Sequence, residues 1–308
     1  MRNSVYLLAL LALAAGGCGN NVAPSSPTSG SNTNSSSGPP VYNFDFYFGT
    51  SSNMLGPAAV AFSGGEFWVA CENSNAVETF SPAFLEQASF TSYDSSTYSL
   101  LDPTNLKTGP DGTLYLVDDN NGQVAVFSPT GIYEGLINNA DFGGVPADVY
   151  VNAGAVYVLV HNSAVVKYAI GGAPPNRTFT QTAFSLTGAS VPFGANGINA
   201  DSQGNFYITS GDNARVVMEF NPSGSYVQTF TAPGSGTVNL VQSVVDNQGY
   251  VYTSDAYNAV VYQFSPSGSL VSQIGSGTLV VPFGLALDSQ QDLWVCDQGA
   301  NHIVVFNK

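Results

Sequence analysis

The chain is predicted to be all-β, a six-bladed β-propeller built of four-stranded blades. Three observations carry the prediction. Aromatic landmarks recur along it: Trp68, Tyr115, Tyr157, Tyr207, Tyr252 and Trp294 succeed one another at intervals of 42 to 50 residues, the length of a propeller blade. A second series, Phe80, Phe127, Tyr168, Phe220, Phe264 and Phe306, trails the first by 11 to 13 residues and closes a short apolar run each time. Between the landmarks lie turn sequences and no segment of helical length, so the units are strands and reversals.

The elements follow in chain order. Residues 1–17 read as an export signal, because Arg2 precedes an apolar run from Val5 to Ala15 that is too short for a permanent membrane span. The run Ala15-Gly16-Gly17-Cys18 resembles a bacterial lipobox, with Ala15 where Leu is preferred. Cys18 is therefore expected to be lipidated and to become the first mature residue. Residues 19–40 are Ser-, Asn-, Gly- and Pro-rich without apolar periodicity; with Cys18 they form a disordered tether of about 26 Å r.m.s. span. The expected location is the bacterial cell envelope, at the outer membrane or cell surface, with the membrane engaged through the lipid anchor.

Residues 41–308 form the folded domain. Tyr42-Asn43-Phe44-Asp45-Phe46-Tyr47-Phe48 alternates aromatics as a strand with one buried face does. The last unit stops at Phe306, the end of its third strand, so the N-terminal strand is predicted to complete the sixth blade and cover its open edge. Pro57, Pro103, Pro146, Pro192 and Pro282 each open the first apolar segment of a unit, with Val241 in that place in the fifth. Ser128-Pro129-Thr130-Gly131, Asn221-Pro222-Ser223-Gly224 and Ser265-Pro266-Ser267-Gly268 are turns, with Pro where φ is preset and Gly where the chain reverses.

Composition narrows the partners. Charged residues make up 9% of the chain, against roughly a quarter in an ordinary soluble protein. The 21 acidic and six basic side chains give a net charge of -15. Nucleic acid is excluded, because phosphate binding needs clustered Lys and Arg, and acidic substrates are disfavoured for the same reason. The 44% hydrophobic content supplies a large core.

The residues resemble the NHL-repeat family of six-bladed propellers. Pro282-Phe283-Gly284-Leu285-Ala286-Leu287-Asp288, Leu293-Trp294-Val295-Cys296-Asp297 and Asn301-His302-Ile303-Val304-Val305-Phe306 follow the family's repeat, with a variant of its naming triplet. The resemblance implies the fold over residues 41–308 and leaves activity open, since propellers host binding modules, lyases and lactonases alike. Asp118, Asp255 and Asp297 end equivalent strands and are expected to accept hydrogen bonds from loop amides. Trp68 and Trp294 are expected to pack between blades, and His302 to be structural.

Three enzyme types resembling this fold can be compared with the chain. A peptidylamidoglycolate-lyase-like site would need zinc on several His residues; His161 and His302 are the only two, three blades apart. A gluconolactonase-like site would hold a divalent ion on oxygen ligands at the channel mouth, including an Asn-Gly step, which Asn196-Gly197 matches. Ala58, Thr104, Ala147, Gln242 and Phe283 fall opposite Asn196 in the other units; a shift of one residue makes Asn105, Asp148 and Asn196 a candidate Ca²⁺ ring, with loop capping as the alternative. A streptogramin-lyase-like site would need a His base beside a metal, and His161 follows the second strand of its unit.

Cys71 and Cys296 stand at nearly equivalent positions in the first and sixth units, which become neighbours on closure. An exported compartment permits a disulfide, but packed sheets lie about 10 Å apart and the bond needs Cα atoms within about 7 Å. Two buried free thiols are the favoured expectation. Tyr93, Asp94 and Tyr98 belong to an insertion between the first two blades and are candidate contacts of an exposed loop. The favoured function is a monomeric, non-catalytic binding or scaffold module for a surface protein or glycan, requiring no cofactor. The alternative is a Ca²⁺-assisted lactonase or lyase at the channel mouth.

Overall fold

The computed structural model describes residues 38–93, 99–211 and 214–308. The predicted signal segment and Cys18, with the tether through residue 37, lie outside the described residues. Six four-stranded antiparallel sheets form the predicted six-bladed propeller. Their inner strands are Pro57–Ser63, Pro103–Thr108, Pro146–Val151, Ala195–Ala200, Leu240–Val245 and Pro282–Leu287. Each packs against the next, and the last against the first. The blades are numbered one to six in that order. All six inner strands start on one face of the ring, the upper face, and end on the lower. Among the described residues, helix is confined to a single turn at Asn139–Phe142 and a 3-10 turn at Glu72–Ser74.

The core is divided among six seams between neighbouring blades, since each sheet must bury both its faces. Between blades one and two, Trp68, Ala70 and Val77 meet Leu106, Leu114 and Leu116. Between blades six and one, Trp294 and Ile303 meet Val60, Val69 and Phe80. Both tryptophans thus pack between blades, and their indole nitrogens donate to the Ser63 carbonyl and to Asp288 Oδ2, each at 3.1 Å.

Strand Asn43–Phe48 pairs antiparallel with His302–Asn307 as the outermost strand of blade six, the predicted closure. Its facing differs from the simple alternation. A bulge between Phe44 and Phe46 leaves Phe44 49% exposed, while Phe48 is buried. One extra residue reverses the side of every residue beyond it. Phe46 and Phe48 reach Trp294, at 6.3 and 5.8 Å between ring centres.

The Pro-Gly turns close as expected: the amides of Gly131, Gly224 and Gly268 donate to Ser128, Asn221 and Ser265 carbonyls at 2.8 to 2.9 Å. In blade one the corresponding residue is Phe84, at φ 59°. A left-handed backbone costs a residue with a Cβ about 1 kcal/mol. The ring offsets that by stacking on Phe67 at 5.3 Å and tilting against Phe48 at 4.9 Å.

Cys71 and Cys296 are free thiols, both buried in the seam between blades six and one. Burial pushes both thiols far above their ordinary range, so neither forms the reactive thiolate. Iodoacetamide at pH 8 is expected to leave both unmodified in the folded protein and to alkylate both in denaturant. Mass analysis reads the difference, and native alkylation would contradict their burial.

Candidate functional site

The inner strands carry bulges near their starts, and this sets what reaches the propeller axis. Register skips one residue between Pro57 and Ala59, Pro103 and Asn105, Pro146 and Asp148, and Ala195 and Gly197. In blades five and six the irregular stretches run from Leu240 to Ser243 and from Pro282 to Leu285. The third residues of the six strands are therefore Ala59, Asn105, Asp148, Gly197, Gln242 and Gly284. Gly284 packs so closely on the Ala58 carbonyl of blade one that any Cβ would collide with it.

The three polar members of this ring meet on the axis. Gln242 Nε2 donates across the ring to Asn105 Oδ1 at 2.8 Å and to Asp148 Oδ2 at 3.3 Å. Its Oε1 accepts the Leu285 amide at 2.7 Å, and Asn105 Nδ2 donates to the Ala147 carbonyl at 2.8 Å. Asp148 also accepts the Val149 and Ile198 amides, at 2.7 and 3.0 Å. Lys107 Nζ lies 3.7 Å from Asp148 Oδ2. Burial nevertheless lifts the Asp148 carboxyl above its ordinary range, against the pull of Lys107 and the two amides. The network is a plug that closes the channel midway.

The structure brings Asn105 and Asp148 together but leaves Asn196 outside. Asn196 is the bulged residue of its strand, and its amide lies over Gly211 beside Asn239. Asn196 is the second residue of its strand, level with Thr104 and Ala147, so the place level with Asn105 and Asp148 falls to Gly197. Gln242 is the third residue of its own strand, because blade five starts at Leu240 rather than Val241, and it belongs with Asn105 and Asp148. The ring does not fit Ca²⁺, which takes roughly six to eight oxygen ligands: its oxygens already accept hydrogen bonds, and Lys107 supplies the cation. Among the described residues no group of three or more His, Cys, Asp and Glu side chains is arranged to hold a metal.

Below the plug the channel opens as a depression of about 200 Å³, lined by Ala61, Leu106, Lys107, Asn199, Val244 and Ala286 among others. Above it the mouth is built differently. The residue after each second strand donates its amide to the loop entering the inner strand of the same blade, and these residues are Glu72, Asp119, His161, Gly211, Ala256 and Gln298. Blades six, one, two and three thus present a polar crescent. Gln298 Nε2 donates to Glu72 Oε2 at 2.6 Å, and His161 Nε2 stands 4.0 Å from Asp119 Oδ1. That oxygen is buried and has no hydrogen-bond partner. Asp102, from the adjoining loop, bonds Asn120 Nδ2 at 3.1 Å. Burial raises the carboxyls of Glu72, Asp102 and Asp119, and the charge of Asp102 raises the other two further.

An apolar collar surrounds this mouth. Leu55, Leu101, Phe193 and Val280 each stand two residues ahead of an inner strand and are exposed, Phe193 at 70%. Val145 does the same one residue ahead of blade three. In blade five the corresponding Val238 is buried, and Tyr257 of the neighbouring loop is 65% exposed instead. The sequence offered one signal for this collar, the recurrence of a large apolar residue just before the strand-opening Pro.

The predicted capping carboxylates are in place. Asp118 accepts the Leu101 amide at 2.8 Å, Asp255 the Asn239 amide at 3.1 Å, and Asp297 those of Val280 and Val281 at 2.9 and 2.8 Å. His302 stacks on Tyr47, 4.6 Å between ring centres, and burial lowers its pKa. Tyr93 is not an exposed contact. It is 5% exposed, its ring fills the seam between blades one and two, and its hydroxyl donates to Asp118 Oδ2. A phenol that satisfies a buried carboxylate is held in by it. Asp94 and Tyr98 lie outside the described residues.

Solved structures share the fold. A streptogramin B lyase is 13% identical, with 87% of each chain covered and a TM-score of 0.59. A virginiamycin B lyase from Staphylococcus aureus is 11% identical, covering 87% of this chain and all of its own, at 0.63. A protein of unknown function from Bacteroides thetaiotaomicron is 13% identical, covering 86% of this chain and 73% of its own, at 0.62. At these identities the likeness is one of fold. No family model and no curated protein matches the chain.

Proposed function

We propose that the chain is an envelope lipoprotein whose NHL-type propeller is a non-catalytic recognition platform for a surface partner. The observation that supports this most is the axial plug, in which Asn105, Asp148, Gln242 and Lys107 satisfy one another where a lactonase would keep ligands open for an ion. The upper face adds exposed apolar side chains around a polar crescent, a surface composition suited to binding. Thermal melting of the full chain in Ca²⁺ and then in chelator is expected to give the same midpoint within about 1 °C, because a ligand that binds only the folded state would raise it. A lactone panel and a streptogramin B are expected to survive incubation unchanged.

A second reading draws on His161 beside Asp119 at the upper mouth. There the pair would supply acid–base chemistry of the kind the lyase neighbours' names suggest. Streptogramin turnover abolished by His161→Ala, with melting unchanged, would replace the platform by this reading.

A further inference from the structure

The upper face combines two features that repeat on different blades. The collar residues Leu101, Phe193 and Val280 are exposed although each sits at a loop whose backbone is fixed by hydrogen bonds. Exposed apolar side chains held on a rigid frame lose little entropy on binding. The other exposed apolar side chains include Leu85, Ile132, Tyr226 and Leu270, which follow the turns into the outer strands, on the circumference of the lower face and away from the channel.

Charge chooses the occupant. Glu72, Asp102 and Asp119 lie on adjoining loops within the collar, the Asp119 amide donating to the Asp102 carbonyl at 3.1 Å. The charge of Asp102 bears on the other two carboxyls, and only the His161 imidazole, beside Asp119, stands against it. Among the described residues the upper loops hold one Arg or Lys, Arg215, and its guanidinium is turned onto the carbonyls of Ala232, Pro233 and Gly236. His161 approaches Asp119 only to 4.0 Å, and Asp119 Oδ1 is left buried without a donor. A ligand that brings a cation to this crescent removes the repulsion and supplies the missing donor. An anionic or purely apolar ligand does neither.

We infer that the upper face docks a basic, apolar peptide segment of a partner protein, with a Lys or Arg entering the Glu72–Asp102–Asp119 crescent and its apolar neighbours lying on Leu101, Phe193 and Val280. The inference rests on the platform reading and assigns it a face and a partner chemistry. Propellers receive extended segments across their loops without strand addition, because their sheet edges are on the circumference and the mouth offers side chains only.

The test is fluorescence anisotropy of the full chain with labelled decapeptides of alternating Leu and Lys, Leu and Glu, and Ser and Lys. The Leu–Lys peptide is expected to bind, more weakly at high salt, and the other two to bind at least about ten-fold more weakly. Glu72→Gln with Asp119→Asn is expected to reduce its affinity about ten-fold, and Phe193→Ser, at a site too exposed to affect folding, about three-fold. Leu270→Ser is the control and should change nothing. The inference is overturned if the variants bind as the wild type does, or if the Leu–Glu peptide binds equally. Sedimentation showing a dimer that Phe193→Ser dissolves also overturns it, by making a second copy of this chain the occupant. Failure of the peptides without any lactone or streptogramin turnover rejects this face alone; turnover rejects the platform itself.

Discussion

Removal of residues 41–48 is expected to abolish the cooperative thermal transition of the propeller. The deleted strand supplies the outer ladder of blade six, from Asn43 opposite Asn307 to Phe48 opposite Ile303. It also places Phe48, buried, and Phe46 against Trp294, Phe67 and Phe84 at the seam where the ring closes. Burial of an aromatic of this size contributes about 2 to 3 kcal/mol, and the backbone bonds of a whole strand are lost with it. The sum approaches the total stability of an ordinary domain, about 5 to 15 kcal/mol. Circular dichroism melting reads the outcome. Two single changes sharpen it: Phe48→Ala should cost about 3 to 5 kcal/mol, and Phe44→Ala, on the exposed side of the bulge, less than about 1 kcal/mol. A deletion variant that melts as the wild type does would mean that closure does not depend on this strand.

The second large effect is expected at Asp148. Asp148→Ala should lower stability to denaturant by about 3 to 5 kcal/mol, since it strips partners from the Val149 and Ile198 amides and from Gln242 Nε2 and leaves Lys107 beside an empty position. Asp148→Asn keeps an acceptor for the amides and should cost less. The pairing Asp148→Asn with Lys107→Met should recover more still, because no unmatched charge remains. The pH dependence carries a definite sign. A carboxyl raised by burial holds its proton more tightly folded than unfolded, so its contribution is full below the ordinary carboxylate range and is lost as pH rises through the folded value. Wild-type stability should therefore increase on acidification from neutrality, and Asp148→Asn should flatten that slope. An Asp148→Ala variant of wild-type stability would contradict the structural role of the plug.

Much of the fold was legible because it is local. The landmarks from Trp68 to Trp294 and the Pro-Gly turns depend on neighbours a few residues away, and all appear where the spacing put them. The incomplete last unit and the aromatic N-terminal segment together led to the closure that the strand pairing displays. The candidate site was legible only in part. Asn105 and Asp148 do meet as their spacing suggests, while Asn196 falls one residue short of the ring and Gln242 enters it, because the strands Ala195–Ala200 and Leu240–Val245 lack the opening proline that marks the register elsewhere. Lys107 was invisible as a partner because its contact with Asp148 joins two blades. Tyr93 looked like a surface loop residue because nothing near it in sequence announces the carboxylate of Asp118, which receives its hydroxyl from 25 residues away.

The sequence by itself determined the number of blades, their four-strand composition, the turns between them and the strand that closes the ring, all of which follow from short-range periodicity and turn chemistry. It also determined the sign of the surface charge. Only the tertiary structure decided which side chains meet on the axis, which carboxylates share the upper mouth and which apolar residues surround it. The reason is the period-two geometry of strands: one bulged residue reverses the facing of those that follow. Six such strands then converge on one axis, so a local offset too small to read in sequence determines which residues face one another across the channel.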